Sequence, residues 1–419
     1  MSHGGTLPGT EREEDRIVLH VDLDCFYAAC ERLKEPDLEN KPVIVGMGYE
    51  PGTSVGAVAT ASYEAREYGI ESAQPISSAI DRLPPASQTN NTPAGYYRPV
   101  DMEFYESVAE DIQHILEDCA DVLRVVSIDE AYLDVTDRTA WDVAEGYGRY
   151  VRDRIQREVG LTASVGIAPT MHAAKVASDH DKPDGLVVVP PGTVEEFLAD
   201  LPIEDLHGIG PVTARELREL NIGTIGELAA ASLTEIEDQY GDRGRTLHRR
   251  ARGIDTREVT PRGRPKSLSK ESAFTEPTSE YDAIAARLET LADAVAERAS
   301  AKNALYQTIG IKVVIPPYDI NTRAHSLPGP IDDPDLIHDI ATDLFEEFRD
   351  TAVRKVGIRV SNLSFADGEQ SNLAKWETVE QESAHNDHSD DTETSDSNSS
   401  SQRTIDQFYS AESDSDQNI

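Results

Sequence analysis

The sequence predicts an α+β protein made of two α+β segments with a helical segment between them. Three observations predict it. Between residues 17 and 167, short Val/Ile-rich runs alternate with amphipathic stretches, the pattern of strands packed on helices. Between 194 and 253, glycines at 208, 210, 223, 226, 241 and 244 punctuate a helical pattern. From about 269 to 365 strand-like and helix-like runs alternate again. After Gly368, Ser, Asp, Asn, Thr and Glu dominate, and such a tail has too little apolar surface to fold.

The elements follow in order. Residues 17–27 (IVLHVDLDCFY) read as a strand running into a helix, and 43–45 as a second strand. Small residues at 56–61 lead to a helical stretch from Ser62 to Tyr68. Residues 84–99, rich in Pro, Asn and Thr, read as a connection, and Phe104 to Leu116 as an amphipathic helix. Two apolar runs, 122–128 and 131–135, flank Asp129-Glu130 like the arms of a hairpin. A helix at 142–158 and a strand at 161–167 complete the first segment. In the last one, strands are expected at 309–315 and 356–363 and helices at 280–299 and 334–349.

Composition narrows the function. The 419 residues suggest two to four domains, ample for a full core. With 39 Lys+Arg against 78 Asp+Glu the formal charge is −39. Residues 367–419 hold 14 acidic and 2 basic residues, so the rest still carries −27. A fold that acidic repels itself in dilute salt, whereas in molar salt the Debye length drops to about 3 Å. A salt-loving host is the expectation. No run reaches the roughly 18 apolar residues of a membrane span. The stretch from Met1 to Arg16 lacks an apolar signal core, and Cys25, Cys30 and Cys119 form no metal-type spacing. A cytoplasmic protein without structural zinc or membrane partner is expected.

The most informative residues are acids in apolar surroundings. Asp22 lies in a hydrophobic strand with Asp24 two residues on, and Asp129-Glu130 sits between two apolar strands. Burying carboxylates beside Val and Ile is costly unless a cation or hydrogen bonds compensate. A carboxylate cluster without Cys or His suits a hard ion, Mg²⁺ or Mn²⁺. On spacing alone, the same acids also read as strand-end residues in water.

The surroundings of these acids are distinctive. VDLDCFYAACE, ATASYEAREYGI, SIDEAYLDVT and SVGIAPTMHAAKVASDHDKPDGL occur in this order. The sequence from about 16 to 365 thereby resembles the Y-family of translesion DNA polymerases, most closely its polymerase IV branch. The resemblance implies a ferredoxin-like palm at 16–24 and 94–189, small fingers at 25–93, and a helical thumb with a helix-hairpin-helix at 190–256. A basic linker at 257–268 and an α+β little finger at 269–365 follow, then a disordered acidic C-terminal tail at 366–419. It also implies template-directed addition of dNTPs to a primer 3′-hydroxyl at low fidelity, by a monomer. Two Mg²⁺ ions, with Mn²⁺ as a substitute, are expected on Asp22, Asp129, Glu130 and the backbone carbonyl of Leu23, where relatives often carry an aromatic residue. Asp24 is expected to play a structural or polar part.

By the same resemblance, Tyr27 is expected to act as a steric gate against the ribose 2′-hydroxyl. Tyr63 and Arg66, three apart on one helical face, and Lys182 in DKPDG are expected to bind the triphosphate. Lys175 is left between that role and a helix-surface lysine. Ala57, Ala59 and Ala73 match positions over the nascent base pair. Leu206 to Pro211 resembles a helix-hairpin-helix, whose Gly208 and Gly210 let backbone N–H groups approach a phosphate. Residues 243–270 hold ten basic residues and two acidic ones, a net of +8 within an acidic chain. They read as a phosphate-tracking strip, with Arg249, Arg250, Arg264 and Lys266 as DNA contacts.

In the tail, Gln402, Ile405, Phe408 and Tyr409 fit the peptide that enters the sliding clamp of archaea and eukaryotes, so motif 402–409 is expected to bind one. The 35 residues from Asp367 to Ser401 span very roughly 30 Å as a coil. A nucleotidyl cyclase shares a two-metal palm but has no use for the hairpin, the strip or the clamp motif. A clamp-bound DNA-binding scaffold has no use for the acidic triad or Tyr27.

Overall fold

The computed structural model describes residues 16–89 and 93–365. The clamp motif and the acidic tail lie outside the described residues. The chain divides between Arg262 and Gly263 into two compact units.

The first unit opens with Val18–Leu23 (β1), buried at all six positions, and Phe26–Lys34 (α1). Val43–Met47 (β2), Ala57–Ala61 (β3), Tyr63–Arg66 (α2), Ile76–Arg82 (α3) and Tyr96–Pro99 (β4) follow. These three strands form a small sheet ordered β3-β2-β4, with β2 antiparallel to β3 and parallel to β4. Then come Met102–Cys119 (α4), Val122–Val125 (β5), Glu130–Asp134 (β6), Ala144–Glu158 (α5), Ala163–Ala168 (β7), Met171–His180 (α6) and Leu186–Val188 (β8). They build a five-stranded sheet ordered β5-β6-β1-β7-β8.

β1 lies in the middle of that sheet, antiparallel to both β6 and β7. Its position explains its composition: a strand flanked on both sides and covered on both faces must be apolar almost throughout. The expected hairpin around Asp129 is present, with β5 and β6 antiparallel, and Glu130 is the first residue of its second arm. Helix α6 lies very close on β7. A Cβ on Gly166 would stand 2.1 Å from the Ala174 oxygen and 2.3 Å from the Ser178 nitrogen, so only glycine admits the helix there.

The Gly-punctuated segment is helical as expected, with Val194–Ala199 (α7), Pro211–Glu219 (α8), Ile225–Ala230 (α9) and Leu233–Ala251 (α10). The last is two helices kinked at Gly241, where φ is +61°. Thr224 and Glu227 form a reciprocal capping box at the start of α9.

The second unit holds Ser267–Thr278 (β9), Tyr281–Ala301 (α11), Ala304–Ile315 (β10), Asp319–Ile331 (β11), Pro334–Phe345 (α12) and Val353–Phe365 (β12). Its sheet is antiparallel throughout, ordered β11-β10-β12-β9. Ile284, Leu288, Val295, Ile337 and Phe345 of the two helices pack with Ile309 and Val356 of the sheet in a separate core. The chain is α+β in both units. Five strands escaped the sequence reading, among them β3, where only small residues were noted, and β8. β4 lies within the stretch read as a connection, β9 begins inside the expected linker at Ser267, and β11 is a largely polar edge strand. Among the described residues no helix is long and apolar enough to cross a membrane.

Candidate active site

The acids meet at one end of β1. Asp22 pairs with Glu130 across β1 and β6, and the Leu23 N–H donates to the Asp129 carbonyl at 2.9 Å. The strand register therefore fixes Asp22, Leu23, Asp129 and Glu130 together, although more than a hundred residues separate them in sequence. Asp22 is buried, at 9 % exposure.

The cations that compensate these acids come from α6 and the loop after it. Lys175 Nζ lies 2.9 Å from Asp22 Oδ2 and 2.6 Å from Glu130 Oε2. Lys182 Nζ lies 2.6 Å from Asp22 Oδ1. Burial acts to raise the Asp22 carboxyl, but the two ammonium groups outweigh it and hold it below the usual range. Glu130 is likewise held well down against burial by His20 and Lys175. Asp129 behaves oppositely: burial pushes it up and the charges of Asp22 and Glu130 add to this, against the Ser127 hydroxyl, donating at 2.6 Å, and a backbone hydrogen bond. The centre thus holds more negative charge than its lysines neutralise.

The reading of Lys175 as a helix-surface lysine is corrected. Its side chain is only 15 % exposed, and burial, which lowers its pKa, is overcome by Asp22 and Glu130, so it stays charged. His20 also went unread. It is fully buried, with Nδ1 2.7 Å from Ser178 Oγ and Nε2 3.5 Å from Glu130 Oε2, and burial lowers its pKa below the usual histidine range. Its place two residues before Asp22 on a strand was the available signal.

Asp24 lies one residue past the end of β1. Its carboxylate accepts from Tyr63 Oη at 3.2 Å, Ser164 Oγ at 2.9 Å and the Asp184 N–H at 2.8 Å. It thereby ties together α2, β7 and the loop that carries Lys182, the structural part expected of it. Arg66 stacks over the Tyr63 ring at 4.7 Å and donates from Nε to the Ala61 carbonyl at 3.0 Å. Glu64 pairs with Arg32 at 2.7 Å. Tyr27 is half-buried, and burial together with the Asp129 charge pushes its hydroxyl up to about 12. Ala57 and Ala59 lie on β3, and the Ala73 N–H donates to Val58 of the same strand.

Gly208 and Gly210 form the turn before α8. Gly208 has φ +100°, and Gly210 is the N-cap ahead of Pro211. Arg243 donates to the Gly208 carbonyl at 2.8 Å and Arg250 to that of His207 at 3.2 Å, so two arginines of the basic strip brace this turn. Arg257 pairs with Asp255 at 2.7 Å. The strip is therefore not uniformly solvated: Arg249, Arg264 and Lys266 are exposed, while Arg250 is half-buried. In the second unit Arg264 lies over the Phe365 ring at 5.0 Å.

Models of known families match most of the described chain. The model described as the impB/mucB/samB family matches residues 21–179, its C-terminal domain 265–373, and the IMS family HHH motif 191–222. The chain is 61 % identical over 375 residues to "DNA polymerase IV" of Halobacterium salinarum, covering 89 % of this chain and 91 % of the relative. It is 42 % identical over 349 residues to "DNA polymerase IV" of Methanoculleus marisnigri, covering 83 % and 94 %. Among solved structures, "Y-family DNA polymerase chimera Dbh-Dpo4(243-245)-Dbh" aligns with a TM-score of 0.75 at 30 % identity, over 83 % of this chain and 99 % of that one. "Insertion ternary complex of Dbh DNA polymerase" aligns with a TM-score of 0.59 at 28 % identity over the same shares.

A sheet with an acidic end, a helix-hairpin-helix segment and a separate four-stranded sheet define the class: a DNA-directed DNA polymerase of the Y-family, whose members depend on metal ions. The chain belongs to the impB/mucB/samB family, in its DNA polymerase IV branch.

Proposed function

We propose that Asp22, Asp129, Glu130 and the Leu23 carbonyl hold two divalent cations, Mg²⁺ with Mn²⁺ as a substitute, where a dNTP is joined to a primer 3′-hydroxyl opposite a damaged template. The observation that carries this is the pairing of Asp22 with Glu130 at the end of β1, beside a third acid pushed up by burial and by their charges. The donor set fits such ions: all the candidate ligands are oxygens, and their negative charge exceeds what the lysines cancel. When bound, the ions ease loss of the hydroxyl proton and neutralise the triphosphate and departing pyrophosphate.

The chain's own residues do the rest. Arg66 grips phosphate oxygens through its planar fork and Lys182 adds a point charge, while Tyr63 donates its hydroxyl. Asp24 sets the positions of Tyr63 and of the Lys182 loop through its three hydrogen bonds. Tyr27 fills the space that a 2′-hydroxyl needs. The primer oxygen bonds to the α-phosphorus, the bond to the bridging oxygen breaks, and the hydroxyl proton leaves to solvent.

The same reading extends to DNA and to partners. Gly208 and Gly210 offer backbone N–H groups to a phosphate, with Arg250, which donates to the neighbouring His207 carbonyl, and Arg249 on the same unit. Arg264 and Lys266 serve the second unit in the same way. Residues 402–409 tether the enzyme to a ring-shaped clamp and raise its effective concentration at the primer end. In this reading the palm spans 16–24 and 94–189, the fingers 25–93, the thumb 190–256 and the little finger 269–365, in a monomer of the cytoplasm of a salt-loving cell. Primer extension by the full chain with Mg²⁺ and all four dNTPs in molar KCl tests the reading. Templated products are expected, and extension that ignores the template sequence contradicts it.

A further inference from the structure

The site is closed by its own lysines. Both oxygens of Asp22 face ammonium groups, Oδ2 that of Lys175 at 2.9 Å and Oδ1 that of Lys182 at 2.6 Å, and Glu130 Oε2 faces Lys175 at 2.6 Å. Among the described residues no group of three or more His, Cys, Asp or Glu side chains stands ready to hold a metal ion. The two lysines share a third acid: Asp179 lies 2.8 Å from Lys182 and 3.5 Å from Lys175, with its side chain 47 % exposed. The backbone of Lys175 is held in place, so only its side chain can move. It stands on α6, pressed against β7 at Gly166, and its side chain is 15 % exposed.

We propose that Lys175 is a built-in counter-ion that takes the place of a divalent cation between Asp22 and Glu130, and that Asp179 is the seat its ammonium moves toward when such a cation binds. This rests on reading Asp22 and Glu130 as cation ligands. Like charges in a buried cluster repel strongly, and an uncompensated buried carboxylate is costly. A tethered ammonium solves this before any ion arrives. It must then also compete with that ion, since both need the same oxygens. Asp179, half in water, lowers the cost of yielding because the displaced charge keeps a partner.

The test uses the full chain without DNA or nucleotide, in KCl, with Mn²⁺ followed by electron paramagnetic resonance and stability by thermal melting. Lys175→Gln is expected to bind Mn²⁺ roughly tenfold more tightly than the wild type. It is expected to melt below the wild type in EDTA, and the gap is expected to close in excess Mg²⁺. Unchanged or weaker Mn²⁺ binding, or a gap that persists in Mg²⁺, would overturn the proposal and leave Lys175 a packing residue. Asp179→Asn supplies a second variant on an exposed position. It should weaken Mn²⁺ binding severalfold, and this loss should shrink when Lys175 is already Gln. An equal loss in both backgrounds, or none, counts against the exchange. Asp22→Asn separates the two claims. If it binds Mn²⁺ as the wild type does, the carboxylate reading itself fails. If it loses Mn²⁺ while Lys175→Gln matches the wild type, only the counter-ion proposal fails.

Discussion

The Tyr27 ring lies flat against that of Tyr105, with centroids 4.6 Å apart and planes 17° from parallel. Tyr105 is fully buried in α4, and its hydroxyl donates to Glu31 at 2.7 Å. A ring stacked on so firm a support cannot easily swing aside, which is what exclusion by volume requires. Tyr27→Ala is therefore expected to incorporate ribonucleotides readily while still extending with dNTPs. Single-nucleotide insertion with matched rNTP and dNTP measures this; unchanged sugar discrimination would remove Tyr27 from the role.

Helix α6 owes its position to a missing side chain. A Cβ at Gly166 meets backbone atoms of Ala174 and Ala177 as well as the Ser178 nitrogen, none of which can rotate away. Gly166→Ala should destabilise the first unit by about 1–3 kcal/mol and displace Lys175 from the acids. Denaturant melting checks the first effect. A stability equal to the wild type would show that α6 can shift without cost.

His172 sets an acid limit on stability. It is 1 % exposed, and neither ring nitrogen has a hydrogen-bond partner among the described residues. Burial, assisted by the Arg250 charge, lowers it from 6.5 to about 3. In the unfolded chain it takes up a proton near 6.5, whereas the folded chain resists until about 3. Its contribution is thus complete above 6.5 and is lost progressively as the pH falls toward 3. His172→Leu should stabilise the protein more at pH 5 than at pH 8, by about 2 kcal/mol. Melts at the two pH values decide, and equal differences would contradict it.

The clamp motif predicts a separable function. Replacing Phe408 and Tyr409 together with Ala should abolish binding to a sliding clamp and leave distributive primer extension untouched. Surface plasmon resonance on immobilised clamp measures the first and extension under single-hit conditions the second. Retained clamp binding would place the contact elsewhere.

How much of this was legible depended on what each residue contrasted with. Asp22 and Asp129-Glu130 stood out because acids interrupt apolar runs, and the hairpin around 129–130 was readable for the same reason. Lys175 did not. A lysine four residues before Asp179 on a helix reads as a solvated pair, and nothing in its own helix shows that Asp22 and Glu130 arrive from two other strands. β11 was missed because an edge strand carrying Asn321, Thr322, Arg323 and His325, with Pro328 and Pro330 near its end, has no apolar alternation to follow. The strip at 243–270 announced its charge, but the carbonyls of His207 and Gly208 that engage Arg250 and Arg243 are invisible in a sequence.

The central claim is that Asp22 and Glu130 act as one unit in nucleotide transfer. It is tested most directly by primer extension with Mg²⁺ in molar KCl, comparing the wild type with Asp22→Asn and Glu130→Gln, with each variant's melting curve recorded alongside. Loss of extension by about a thousandfold or more in both variants, with cooperative melting kept, is the predicted result. Extension at the wild-type rate by either folded variant would contradict it.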